Sequence, residues 1–307
     1  MVLRKLIFFS SLLCTYILTT EVVSEQWSDC RQNILSIQET SLLFHSWSIY
    51  SQFGEEGILD EILKRLDLME GMFIEFSNFY ETCTSNVRFL AERGWQGIFV
   101  DIDDDHSSKN RKSYQYIVPL APILCLEETL YFKDVTHFPD VRFIKESKEV
   151  DKNIFDQIVR SLCRGKEIDI LSIDVGGFDD LILEGIQHKP KMIIIKAGMY
   201  WSPFLVEKIP LEIATNGLNQ PLTVLISLAR NQGYTPVCYT GNLILVRDDI
   251  ACLFNEIVKD PITLWMDAWH YFLEKKPSYI SWVIENRASK EDIRKFDSFS
   301  IPNYINH

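Results

Sequence analysis

The chain has 307 residues, 43 of them acidic and 31 basic, for a formal net charge of −12. That balance excludes a nucleic-acid binder, which needs a basic face to track phosphates. The length is enough for one large core with an appendage.

The N-terminal stretch "MVLRKLIFFSSLLCTYILTTEVVSEQ" places Arg4 and Lys5 before a mostly apolar run from Leu6 to Leu18. Val22 and Ser24 suit the −3 and −1 positions of a cleavage site. The pattern predicts a signal peptide over residues 1–24 and a secreted or secretory-pathway luminal protein, with no membrane span after cleavage. The alternative is a signal-anchored membrane protein, for which the run is short and broken by Ser, Cys and Thr. Six cysteines remain beyond the signal: Cys30, Cys83, Cys125, Cys163, Cys238 and Cys252. They allow fifteen pairings, among which the sequence does not choose. One or two disulfides suit an oxidising compartment. The histidines show no metal-ligand spacing, so no metal is expected.

Residues 25–50 read as a mixed lead-in. "GEEGILDEILKRLDL" at 54–68 spaces Ile58, Ile62, Leu63 and Leu66 as one helical face. "GMFIEF" predicts a first strand, "ETCTSNVRFLAERG" a helix ending at Gly94, and "GIFVDID" at 97–103 a second strand. A short βαβ unit of this kind predicts parallel pairing. A third strand is expected near 116–118, at an edge that tolerates Pro119 and Pro122. Residues 127–150 read as a small hairpin or insertion.

"NIFDQIVRSLCRG" predicts a helix stopped at Gly165, and "IDILSIDV" at 168–175 a strong strand. A short helix in "DDLILEGIQ", a strand in "KMIIIKAG" and a helix in "LTVLISLARNQG" follow. "YTPVCYTGNLILVRDD" reads as two antiparallel strands about a turn at Gly241-Asn242. Residues 251–307 are expected to form a C-terminal extension, with two aromatic-rich helices and a polar tail. The whole predicts a doubly wound α/β sheet with an antiparallel edge, spanning 51–250.

In such a sheet, ligands bind beyond the carboxyl ends of the strands. Three ends carry candidates. The first strand ends at Glu75, followed by Ser77 and Asn78. Phe79 and Tyr80 then stand where glycines would let a ligand approach the backbone. The second ends in Asp101 and Asp103, either of which could accept hydrogen bonds from ribose hydroxyls. The fourth ends in Asp174, followed by Gly176-Gly177, then Asp179 and Asp180. Asp174 could orient a substrate hydroxyl or act as a base. Asp179 is the better cap for the next helix, and Lys196 could pair with Asp174.

Four stretches together resemble the FkbM-type S-adenosylmethionine-dependent methyltransferases: "SQFGEEGILDEI", "FIEFSNFYETCTSNVRFLAERGWQGIFVDID", "IDILSIDVGGFDDLILEGI" and "SLARNQGYTPVCYTGNLILVRDD". They span roughly 48–250. The resemblance implies a seven-stranded methyltransferase sheet with a final antiparallel hairpin. It implies S-adenosylmethionine over the first turn, with Glu75, Ser77, Asn78 and Asp101 or Asp103 as its contacts. Asp174 matches the strand-four aspartate. Members typically methylate hydroxyls, so a small-molecule or glycan hydroxyl is the implied acceptor.

Three departures fall at the same crevice. Ser77 and Phe79-Tyr80 replace the glycine turn, Gly176 replaces an acid, and Lys196-Ala197 replaces a Glu followed by an aromatic. Two readings follow. One is a secretory-pathway O-methyltransferase with a degraded cofactor motif. The other is a catalytically inactive, methyltransferase-like binding or interaction module.

Overall fold

The computed structural model describes residues 41–77, 84–102, 141–146, 152–163, 165–199, 201–254, 257 and 260–275. The fold is mixed α/β, built on one sheet with parallel and antiparallel strands. Its strands are β1 (Met72–Ser77), β2 (Gln96–Ile102), β3 (Val141–Glu146), β4 (Ile170–Asp174), β5 (Met192–Lys196), β6 (Tyr234–Tyr239) and β7 (Asn242–Arg247). They lie in the order β3-β2-β1-β4-β5-β7-β6. The strands from β1 to β5 pair in parallel, and β7 runs antiparallel to both β5 and β6.

The central strands are continuous apolar runs because both of their faces are covered. Ile74, Phe76, Leu171, Ile173, Ile193, Ile195, Leu243 and Leu245 pack on one side. That side meets α3 (Ile154–Leu162), α4 (Asp179–Gly185), α5 (Leu222–Asn231) and α6 (Pro261–Lys275). The alternate residues Phe73, Ile170, Ile194, Ile244 and Val246 pack against α1 (Glu55–Arg65) and α2 (Arg88–Glu92). Side chains two residues apart share a face. Glu75, Ser77, Ser172, Asp174, Lys196 and Asn242 are therefore all on the α1–α2 side.

Several expectations change. Among the described residues the strand after β2 is Val141–Glu146, in the segment read as a hairpin or insertion, and it pairs in parallel with β2. Its sequence VRFIKE interleaves charges, as an edge strand does. The strand expected near 116–118 lies outside the described residues. Of the helix expected across 81–94, the described residues show Arg88–Glu92 as helix and Thr84–Val87 as non-helical. The reason is Glu75, which draws the Ser85 hydroxyl and the Asn86 N–H to itself.

Gly94, Gly165 and Gly233 close their helices in left-handed conformations, as expected. The C-terminal extension supplies α6, whose Phe272 meets Phe53 edge-on at 5.5 Å. The second aromatic helix and the tail lie outside the described residues. Cys163 and Cys238 are buried and Cys252 is exposed. Among the described residues no helix is long and apolar enough to cross a membrane.

Candidate functional site

Strand register assembles the site. β1 and β4 place Glu75 beside Ser172 and Ser77 beside Asp174. β5 and β7 place Lys196 beside Asn242. The strand order reverses between β1 and β4, and their carboxyl ends open onto a small crevice. Gln52, Glu75, Ser77, Thr84, Ser85, Asn86, Asp174 and Asn242 line it.

Glu75 is buried at the foot of this crevice. Oε1 accepts from the Asn86 N–H at 3.0 Å and the Ser172 hydroxyl at 3.1 Å. Oε2 accepts from the Ser85 hydroxyl. Ser85 Oγ also accepts from the N–H of Arg88 at 3.0 Å, so one serine caps α2 and holds Glu75. Burial pushes the Glu75 carboxyl up to about 7, against the pull of these donors, and the charge of Asp174 adds to the rise.

Asp174 ends β4 with its side chain part-exposed. Lys196 Nζ stands 3.8 Å from Oδ2 and donates to Gln52 Oε1 at 3.1 Å. The expected pairing of Lys196 with Asp174 is therefore present. Lys196 also lies over the Phe53 ring, 4.9 Å from its centroid.

Asp179 differs from its expected role as a helix cap. It is the first residue of α4, and its carboxylate turns back on the preceding loop. Oδ1 accepts from the Val175 N–H at 3.1 Å and Oδ2 from the Gly177 N–H at 2.9 Å. It thereby fixes the Gly176-Gly177 turn, where both glycines have positive φ. Burial, then the charge of Asp174, raises its carboxyl to about 8. Asp180 instead meets Lys208 at 2.6 Å.

The "GEEG" stretch yields roles that sequence reasoning missed. Glu56 accepts from the N–H groups of Ile49, Tyr50 and Ser51 and folds the lead-in over the start of α1. Glu55 is fully buried. Its Oε1 accepts from Thr240 Oγ1 at 2.6 Å and Asn242 Nδ2 at 2.8 Å. Its Oε2 accepts from the Phe53 N–H at 2.8 Å. Asn242 Nδ2 also points to Asn86 Oδ1 at 3.4 Å, and Asn86 Nδ2 donates to Ser172 Oγ at 3.1 Å. A chain of buried polar side chains thus crosses from α1 through β7 and β4 to Glu75.

No protein-family model matches the chain, and no curated protein matches it.

The expected cofactor contacts are only partly brought together. Glu75 and Ser77 line the crevice with Asp174. The β2 end sets the Asp101 backbone beside Ser77. Asn78, Phe79, Tyr80 and Asp103 lie outside the described residues. Glu75, one of the contacts that the resemblance implies for S-adenosylmethionine, is held by protein donors. Oε1 accepts two of these bonds and Oε2 one.

Proposed function

We propose that the chain is a methyltransferase-like protein of the secretory pathway that works as a binding or interaction module without methyl transfer. The reading takes the sheet as a doubly wound, seven-stranded methyltransferase type. The order β3-β2-β1-β4-β5-β7-β6 with antiparallel β7 supports that, together with the four sequence stretches. A fold hosts chemistry without guaranteeing it.

The observation that carries the reading is Glu75. The acid that would face a cofactor is enclosed by Ser85, Asn86 and Ser172. Asp174, the candidate base, is held against a lysine.

The strand order favours a second reading, an O-methyltransferase acting on a small-molecule or glycan hydroxyl. Calorimetric titration of the secreted protein with S-adenosylmethionine separates the two. The first reading expects a Kd weaker than about 1 mM, corresponding to about −4 kcal/mol. Micromolar binding, or methyl transfer to a hydroxyl acceptor, overturns it.

A further inference from the structure

Residues 201–218 pack as a satellite of the sheet. Trp201, Leu205, Ile209 and Ala214 form a small apolar cluster of their own, apart from the cores on the two faces of the sheet. A unit with its own cluster can part from the main core without dismantling it. Phe204 is 68 % exposed and Val206 75 %, so neither ties the segment down.

Polar ties hold it in place. The Thr223 hydroxyl on α5 donates to the Leu205 carbonyl. The Trp201 indole donates to the Asn219 carbonyl at 2.9 Å, and the Gln220 amide brackets Ile209. Lys208 reaches Asp180 at 2.6 Å and Glu184 at 2.7 Å, both on α4.

The same closed arrangement is costly in three places. Asn219 has φ +50° and ψ 178°, a combination open essentially to glycine. It ends the π-helical turn Ala214–Leu218, a rare geometry. The Asn219 Oδ1 is buried without a hydrogen-bond partner among the described residues. Asp180 is buried too, and Lys208, on the segment itself, is the cation that compensates it. Lifting the segment relaxes the Asn219 backbone and returns both side chains to water.

The π-helical turn also sits on the loops after β4 and β5. A Cβ on Gly177 would stand 2.3 Å from the Ala214 carbonyl oxygen, and one on Gly198 2.2 Å from that of Leu218. The seating of the segment therefore fixes both loops, one leading away from Asp174 and the other from Lys196.

We propose that residues 201–218 are a flap that opens as a unit while the sheet stays folded, with the strained Asn219 backbone as its hinge and the Lys208–Asp180 ion pair as its catch. On opening, the π-helical turn leaves Gly177 and Gly198, and the two loops are released with it. The flap is a conformational switch beside the crevice. It does not depend on the binding-module reading, because it needs no particular occupant of the crevice.

The test is native-state hydrogen exchange on the full-length protein. The Ile209 and Asn219 amides report the flap, since their acceptors, Gln220 Oε1 and the Ala214 carbonyl, are left behind on opening. The Ile173 and Ile194 amides report the sheet. The flap amides are expected to exchange at least about tenfold faster than the strand amides, after correction for intrinsic rates. Asn219→Gly is expected to slow exchange at Ile209 about fivefold or more, because glycine adopts that backbone without strain. That is a gain in protection, which misfolding does not produce. Lys208→Met is expected to quicken it about fivefold or more, because Asp180 is left buried and unpaired. The strand amides keep their rates in both variants. Flap amides as slow as the strand amides would mean that the segment opens only when the whole fold does, and would overturn the flap. Exchange at Ile209 that Asn219→Gly fails to slow, or that Lys208→Met fails to quicken, would overturn it as well.

Discussion

Asn242 Nδ2 donates to Glu55 Oε1 at 2.8 Å, across 187 residues of sequence. The first residue of α1 is thereby bonded to the first residue of β7, and both are buried. Glu55 needs its three donors, because a carboxylate withdrawn from water without them is costly. Asn242→Leu is expected to lower unfolding stability by about 2–4 kcal/mol. Urea denaturation reads this as a lower midpoint with an unchanged slope. A midpoint within error of the parent would show that Thr240 and Phe53 suffice for Glu55.

The pH dependence follows from Glu75 and Asp179. The folded state raises Glu75 from 4.5 to about 7 and Asp179 from 3.8 to about 8. Between those limits the native state holds protons that the unfolded chain has released. The stabilisation is complete below the unfolded values, and it is lost as pH rises through the folded ones. Unfolding free energy is therefore expected to fall from about pH 3.8 to about pH 8 on account of these two groups. In Glu75→Gln the Glu75 share of the fall, between 4.5 and 7, disappears, so the slope there becomes shallower, while the Asp179 share remains. An identical slope in parent and variant would remove Glu75 as its cause.

The two glycines after β4 are expected to respond differently to alanine. A Cβ on Gly176 meets nothing within 4 Å, so only its φ of +65° opposes the change. The expected cost is about 1 kcal/mol. A Cβ on Gly177 would stand 2.3 Å from the Ala214 carbonyl oxygen, at φ +104°. Backbone must move there, and the expected loss is about 3 kcal/mol or more. Thermal melts of the two variants check the order, and equal losses would contradict it.

Gln220 brackets Ile209 with both ends of its amide. Oε1 accepts from the Ile209 N–H at 2.8 Å, and Nε2 donates to the Ile209 carbonyl at 2.9 Å. With the Trp201 indole donating to the Asn219 carbonyl, it pins a segment that leaves Phe204 and Val206 outside. Gln220→Glu keeps one of the two bonds and sets a carboxylate oxygen against a carbonyl. Hydrogen exchange at Ile209 is expected to quicken by about tenfold, for the loss of about 1–2 kcal/mol of local protection. Unchanged exchange there would assign the pinning to Trp201 alone.

Apolar runs made most of the sheet legible. "FIEF", "IFVDI", "ILSID" and "MIIIK" are buried on both sides, and such strands read as unbroken hydrophobic stretches. The hairpin turn was legible from Gly241, although it lies at Thr240-Gly241 and Asn242 already opens β7. β3 was not, because an edge strand spelled VRFIKE looks like a solvated loop. The start of α2 was missed because helical spacing carries no sign that Glu75 would capture Ser85 and Asn86. In the site, Asp174 and Lys196 were legible as strand ends. Glu55, Gln52 and Asn242 were not, since their meeting depends on which strands lie side by side.

The span between Glu55 and Asn242 also orders events during synthesis. At about 5–20 residues per second, Asn242 is made about 10 to 40 s after Glu55. Over that interval the nascent chain carries the Glu55 acid with its two side-chain donors, Thr240 and Asn242, still to come. The carboxylate therefore stays hydrated, and the lead-in helix cannot dock in its final place. The β6–β7 hairpin acts as the latch, and a chain arrested before residue 242 is a natural substrate for quality control.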